Sequence, residues 1–258
     1  MQKKDLNFTG GMIIIHIAMM LTAGLILIFK FDFPDILRQP METTLQLFHE
    51  NRAFTVPAYY LFTLTGISFM TISMLLYKTP GFKDSTSGFL AVVFGVLFGL
   101  TSSLGFIRWP FLMEYLGGML AHDSSGVSHE SIQLLYDSFH IYAGVSIGEN
   151  FAFWFEFLWM FLFSTSLLFK KDMFPAYIAR IGQGLGIGML IYSLEQFGGF
   201  FSLLGPLNMA VHTAQLGWLL AIAFLLFNAG GNNNARLTSL QAIFSSGLVV
   251  ILLIVSFI

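Results

Sequence analysis

The chain has 258 residues, of which 10% are charged and 56% are hydrophobic, and its formal net charge is −2. Soluble domains carry roughly 25% charged residues, so this composition cannot cover a water-soluble surface and excludes soluble enzymes and nucleic-acid-binding proteins. Cysteine is absent, which excludes disulfides, iron–sulfur clusters and thiolate metal sites.

Stretches of about 20 mostly apolar residues can cross the hydrocarbon core of a bilayer. Seven such stretches lie along the chain, at residues 11–29, 54–77, 87–109, 147–169, 177–199, 206–227 and 237–257. They predict an all-α bundle of seven transmembrane helices that forms a single domain over residues 1–258. Pro57, Pro175 and Pro206 are expected in the first turns of three of these helices, where a missing N–H costs little.

Basic residues are divided unequally between the two faces of this bundle. If the N-terminus lies inside, eight Lys and Arg residues fall on the inner side and four on the outer side. The positive-inside rule therefore predicts a cytoplasmic N-terminus and an external C-terminus. The inner set is Lys3, Lys4, Lys78, Lys83, Lys170, Lys171, Arg180 and Arg236, and the outer set is Lys30, Arg38, Arg52 and Arg108.

Two outer connections, residues 30–53 and 110–146, are too long for simple turns and contain apolar patterns. They predict a small outer helical cap. Residues 131–143 have the pattern of an amphipathic helix that Ser128 or Ser131 would cap. Long connections among short ones are commonly functional.

Polar side chains inside the predicted spans need an explanation, because a charge at the bilayer centre costs at least ~2.5 kcal/mol. Several segments bring such side chains to the same predicted depth, in the outer half of the membrane. This convergence predicts an outward-facing pocket for a small or lipid-like ligand, in a transporter or proton-coupled carrier. The lining residues are Glu149, Glu195 and His212, and the supporting or proton-relay residues are Arg108, His140, Glu156 and Gln215.

Helical spacing relates some of these residues to one another. His212 and Gln215 are three residues apart and therefore share one stripe of a helix. Glu149 follows His140 by nine residues, which places the two half a turn apart on an unbroken α-helix. We therefore expect them to meet only if the stretch containing Gly144 and Gly148 breaks or kinks.

Other functions are compatible with the same residues. His140, His212 and Glu149 could hold zinc, and the two histidines could hold a haem, in an intramembrane enzyme; we expect no cofactor in the leading interpretation. A third interpretation is a non-catalytic subunit of a larger membrane complex or of a homo-oligomer. Arg108 and Glu149 could also form an ion pair that only fixes helix packing. No lysine lies in any predicted span, so a retinal Schiff base is excluded.

Three segments carry a resemblance to known sequences: LGFIRWPF at 104–111, FHIYAGVSIGE at 139–149, and the run from Pro175 to Gly198. Together they resemble a bacterial family of multi-pass membrane proteins of unknown function. The resemblance implies an inner-membrane protein, but it implies no particular reaction. It also leads us to expect histidine after the glutamate of the second segment, where this chain has Asn150.

Overall fold

The computed structural model describes residues 3–79, 82–83, 85–122, 126–169 and 173–229. Within these ranges helices are joined by short turns, and none of the described residues lies in a β-strand. The predicted all-α class is therefore confirmed. The predicted seventh span, residues 237–257, lies outside the described residues.

In the described ranges, α-helices are joined or extended by shorter 3₁₀ and π-helical segments. The α-helices are α1 (Lys3–Phe31), α2 (Met41–Glu50), α3 (Arg52–Tyr77), α4 (Thr86–Arg108), α5 (Glu114–Ala121), α6 (His129–Phe139), α7 (Ala152–Leu168), α8 (Ala176–Tyr192) and α9 (Gly205–Phe227). The 3₁₀ segments are Asp35–Arg38, Ser193–Phe197 and Gly199–Leu204. The π-helical segments are Trp109–Met113 and His140–Phe151.

Five helical stretches in the described part are long and apolar enough to cross a membrane. Each corresponds to one of the predicted spans, and the chain is accordingly a membrane protein. The predicted span 177–199 corresponds to α8, which has 17 residues and continues directly into a 3₁₀ segment. The five stretches are Lys3–Phe31, Arg52–Tyr77, Thr86–Ala121, His129–Leu168 and Gly199–Phe227.

Two of these stretches are longer than a bilayer requires, with 36 residues in Thr86–Ala121 and 40 in His129–Leu168. The predicted cap at 110–146 therefore consists mainly of continuations of two long helices. The amphipathic helix predicted in this connection is present as α6, and the Ser128 hydroxyl caps it by accepting a hydrogen bond from the Ser131 backbone N–H at 3.3 Å. Helix α2, from the other predicted cap connection, packs against α5 and α6.

Proline marks two of the three helix starts that the sequence predicts. Pro175 is the N-cap of α8, and Pro206 lies in the first turn of α9. The prediction for Pro57 was wrong, because α3 begins at Arg52 and contains Pro57. The start is earlier because the Asn51 carbonyl accepts the backbone N–H groups of Phe54 and Thr55.

The chain divides into two compact units. The first contains the described residues of Met1–Ile17, Met70–Leu97 and Phe153–Ile258. The second contains Ala18–Phe69 and the described residues of Phe98–Ala152.

The second unit has an aromatic core around Trp109, which is 1% exposed. The indole stacks on the ring of Tyr59, with the centroids 4.7 Å apart and the planes at 12°. Phe31 and Phe48 both approach the indole at 5.3 Å. This core places Tyr59 and the end of α4 next to each other.

The first unit is held together around Trp218 of α9. Its indole N–H donates to the Ile178 carbonyl of α8 at 2.8 Å. A Cβ atom on Gly182 would lie 2.5 Å from the same indole ring, so the glycine allows the two helices to approach closely. Trp159 and Phe163 of α7 pack edge-on against Trp218, with centroids 5.9 and 5.8 Å away.

We predict that Trp218→Phe lowers the free energy of unfolding by about 1 kcal/mol or more, because it removes a buried donor and leaves the Ile178 carbonyl with one partner fewer. Trp154→Phe is the matched control, since Trp154 is 42% exposed. Thermal unfolding in one detergent would compare the two variants. Equal losses would show that the indole bond contributes nothing.

Candidate functional site

Helices α7 and α9 form a polar site around Glu156, called here the Glu156 site and consisting of Glu156, His212 and Gln215. Glu156 is 1% exposed. Its Oε1 accepts a hydrogen bond from Gln215 Nε2 at 2.6 Å, and its Oε2 lies 3.7 Å from His212 Nε2. His212 and Gln215 therefore share one face of α9, as predicted. On that face Gln215 lies against one oxygen of the buried carboxyl group and His212 lies beside the other.

The hydrogen bonds of His212 determine where its protons lie. Its Nδ1 is 3.0 Å from the Asn208 carbonyl oxygen, which can only accept, so Nδ1 carries a hydrogen. Nε2, which faces Glu156, then carries a lone pair if the imidazole is neutral. It carries a second hydrogen if the ring is an imidazolium. Glu156 and His212 together have no net charge when they hold one titratable proton between them, whether it lies on the carboxyl group or on the ring. Without that proton their net charge is negative.

The surroundings of His212 hold its ring in place. The Asn208 side chain donates to the Tyr192 hydroxyl at 2.8 Å. The ring of Phe153 lies 5.0 Å from Tyr192 and 6.0 Å from the imidazole. The His212 side chain is 27% exposed whereas that of Glu156 is 1% exposed. His212 is therefore the more exposed member of this pair and connects Glu156 with the surface of the protein.

Glu195, which the sequence also places in the pocket, lies in the 3₁₀ segment that follows α8. Its Oε2 accepts a hydrogen bond from Gln196 at 3.4 Å. Among the described residues, Glu156 has Gln215 and His212 as its hydrogen-bond and ion-pair partners. Glu195 is therefore not a direct partner of the Glu156 carboxyl group.

The second unit contains a second polar group, called here the Arg108 cluster and consisting of Tyr59, Arg108, Tyr136, His140 and Glu149. Arg108 ends α4 and is 8% exposed. Its guanidinium interacts electrostatically with the other four side chains. The structure thus places the predicted residues His140 and Glu149 within electrostatic range of Arg108.

A π-helical segment, His140–Phe151, explains how His140 and Glu149 both reach Arg108. Backbone hydrogen bonds in a π-helix span five residues instead of four, so each turn is wider and holds more residues. Residues nine apart are then closer to two complete turns than they would be on an α-helix. The break in the α-helix that the sequence required for this meeting is therefore present, as a change of helix type.

The guanidinium of Arg108 lies directly against the backbone of Gly144. A Cβ atom at Gly144 would be 2.7 Å from Cζ of Arg108. The Nη1 group donates to the Gly105 carbonyl of its own helix, and the guanidinium also lies 5.4 Å from the centre of the Trp109 ring. Glycine at 144 thus provides the space in which the guanidinium is buried.

The buried atoms of the Arg108 cluster that have no hydrogen-bond partner among the described residues include Arg108 Nε, the Tyr59 hydroxyl and His140 Nδ1. A buried polar group without a partner costs about 1–3 kcal/mol. Such groups are rare in folded proteins, and several in one cluster require an explanation.

Sequence reasoning missed the two tyrosines of this cluster. Tyr136 precedes His140 by four residues, and their rings stack with centroids 5.5 Å apart, so helical spacing could have identified it. Tyr59 had no such signal, because the adjacent Tyr60 is equally apolar in context but is 45% exposed in the structure.

Further polar pairs lie among the cap helices of the second unit. His49 Nδ1 lies 3.3 Å from Glu114 Oε1, and His49 Nε2 lies 2.7 Å from Arg52 Nη1. His129 pairs with Glu42 at 3.2 Å, with both side chains more than half exposed. These pairs join α2 to α5 and α6, and we assign them a packing role.

The sequence also raised a metal or haem site formed by His140, His212 and Glu149. In the part of the chain that the structure describes, no group of three His, Asp or Glu side chains is placed so that it could hold a metal ion.

Comparison with known proteins identifies the family of the chain. Residues 8–230 match the model of a family described as a domain of unknown function, DUF4386. The chain therefore belongs to this family, which agrees with the resemblance to a family of unknown function seen in the sequence. No curated protein and no solved structure matches the chain.

Proposed function

We propose that this member of the DUF4386 family is a proton-coupled carrier for a small or lipid-like ligand, with the coupled proton held at the Glu156 site. One observation supports this more than any other. A carboxyl group that is 1% exposed has Gln215 hydrogen-bonded to one oxygen and His212 beside the other. Ionisable residues within membrane spans are rare and commonly form proton relays.

The arrangement has the chemistry that reversible proton binding requires. With one proton bound, Glu156 and His212 are neutral together, and without it a negative charge is left in a buried position. Burying an uncompensated charge is costly, so the proton is released only if the surroundings of the carboxyl group change. A carrier that couples proton release to a conformational change needs this difference between two states. His212 would pass the proton between Glu156 and the surroundings.

In this proposal the protein lies in a bacterial inner membrane, with its N-terminus in the cytoplasm and its C-terminus outside. The distribution of Lys and Arg supports that orientation. The ligand would enter from the outer side through a pocket lined by Glu195 and His212.

The test uses purified protein in liposomes that contain a pH-sensitive dye and carry an inside-negative potassium diffusion potential. We expect the wild-type protein to acidify the lumen at least about tenfold faster than Glu156→Gln, which keeps the shape of the side chain but cannot release a proton. His212→Gln should slow acidification as well. Infrared spectra of the same samples should show a carboxylic-acid carbonyl band that titrates and is missing in Glu156→Gln.

Glu130→Gln is the control, since Glu130 is an exposed glutamate of α6, and it should behave as the wild type in both measurements. If wild-type protein and Glu156→Gln acidify the lumen at the same rate, the proton-coupled function is wrong. If the infrared band persists in Glu156→Gln, the proton is held elsewhere.

A further inference from the structure

The Arg108 cluster shares no residue with the Glu156 site, and its composition indicates a ligand. Arg108, which is 8% exposed, and Tyr59, which is 1% exposed, each place an unpartnered donor there, at Nε and at the hydroxyl group. His140 adds an unpartnered ring nitrogen that donates in one of its tautomers. Donors of this kind in the described part of the chain call for an acceptor that protein atoms do not supply.

We propose that the Arg108 cluster binds the carboxylate of an organic anion. A guanidinium is planar and presents parallel N–H groups that match the two oxygens of a carboxylate. Arg108 is the one permanently cationic side chain among the five members of the cluster, so it balances a single negative charge. A phosphate dianion would require a second cation, which favours a carboxylate ligand.

The surface of the same stretch of chain indicates the rest of the ligand. Phe139, Ile141 and Tyr142 flank or follow His140, and they are 43%, 60% and 67% exposed. Exposed apolar side chains beside a buried guanidinium offer a surface for an apolar chain. A carboxylate attached to an apolar chain, as in a fatty acid, fits a buried guanidinium next to such a surface.

Glu149 is the internal competitor of this ligand. Its carboxylate attracts the guanidinium of Arg108, and a bound carboxylate would take its place. Glu149 would then lose its compensating charge and take up a proton from water, so each ligand that binds carries one proton into the cluster. Among the described residues, Tyr59 of α3 and Arg108 of α4 interact electrostatically with Glu149. The other titratable groups in and beside the cluster interact with Arg108 or with one another: Tyr136 and Asp137 of α6, and His140 of the π-helical segment.

The experiment measures dodecanoate binding by isothermal titration calorimetry to the full-length protein in detergent, with dodecanol as the uncharged probe. Titrations in two buffers with different ionisation enthalpies report the protons taken up. We expect the wild-type protein to bind dodecanoate but not dodecanol at this site and to take up about one proton per bound anion. Arg108→Gln should weaken dodecanoate binding about a hundredfold.

Glu149→Gln distinguishes competition from a merely structural role. It should bind dodecanoate about tenfold more tightly than the wild type and without proton uptake, because the competitor is gone. Arg180→Gln removes an exposed arginine of α8 and should leave binding unchanged. Arg108→Lys, which keeps the charge, covers the case in which Arg108→Gln does not fold, and it should retain weakened binding.

The anion site is wrong if Arg108→Gln and Arg108→Lys, folded by circular dichroism, bind dodecanoate as the wild type does. It is also wrong if dodecanol binds as tightly as dodecanoate, or if Glu149→Gln weakens binding. None of these results depends on Glu156, so failure of the proton-coupled function and failure of the anion site can be told apart.

Discussion

Replacing Gly148 with alanine is expected to destabilise the protein severely. A Cβ atom at Gly148 would lie 2.6 Å from the Cα of Gly105, and a Cβ atom at Gly105 would lie 2.6 Å from the Cα of Gly148. Both contacts are with backbone, which cannot rotate away as a side chain can. Overpacking of a well-packed interior costs about 1–3 kcal/mol, and we expect Gly148→Ala and Gly105→Ala to lie at the upper end of that range.

Gly144→Ala is the matched control, because it adds the same methyl group to the same π-helical segment. The atoms nearest to its Cβ would be those of the Arg108 guanidinium, the far end of a long side chain rather than backbone. Alanine also favours a helix over glycine by about 1 kcal/mol, so Gly144→Ala should change the free energy of unfolding little while displacing the guanidinium.

Denaturant unfolding of the three variants in one detergent measures the difference. Large losses for Gly105→Ala and Gly148→Ala with a small change for Gly144→Ala are the expected result. Similar values for Gly144→Ala and Gly148→Ala would mean that α4 and the π-helical segment do not approach each other at this glycine pair.

Hydropathy was sufficient to predict the helical spans within the described residues. In hydrocarbon every backbone N–H and carbonyl must be paired within the chain, so an apolar stretch of sufficient length can only be a helix or part of a closed barrel. Helical spacing was also sufficient to predict that His212 and Gln215 lie on the same face of α9, since residues three apart share a face of any α-helix. Predicted membrane depth also grouped Glu156 with these two residues. Their direct contact with its carboxyl group could not be predicted, because Glu156 and α9 are distant in the chain.

The Arg108 cluster was only partly predictable, because helix type is not encoded in hydropathy. An α-helix places His140 and Glu149 on different faces, whereas the π-helical segment brings both within electrostatic range of Arg108. It was equally impossible to predict from the sequence that one tyrosine of α3 is buried and that its neighbour is exposed. Tyr59 is 1% exposed and Tyr60 is 45% exposed, a difference that depends on how α3 is rotated against Trp109.

Trp109→Ala is expected to be the most destabilising of the aromatic substitutions in the second unit. The indole is 1% exposed and contacts Tyr59, Phe31 and Phe48 through its faces and edges. Replacing a buried tryptophan by alanine costs about 3–5 kcal/mol, because a large cavity replaces many contacts. The change also removes the ring that lies 5.4 Å from the Arg108 guanidinium, an interaction worth about 0.5–2 kcal/mol.

The matched control is Trp154→Ala, since Trp154 of α7 is 42% exposed and leaves no enclosed cavity when it is shortened. Unfolding in detergent should show a loss for Trp109→Ala several times that for Trp154→Ala. Hydrogen exchange followed by mass spectrometry should show faster exchange in α2, which contributes Phe48 to the aromatic core, and little change in α8 and α9 of the other unit, because local stability follows local packing. Faster exchange to the same extent in α8 and α9 would contradict an aromatic core that stabilises the second unit, and equal losses for the two tryptophans would contradict the packing role of Trp109.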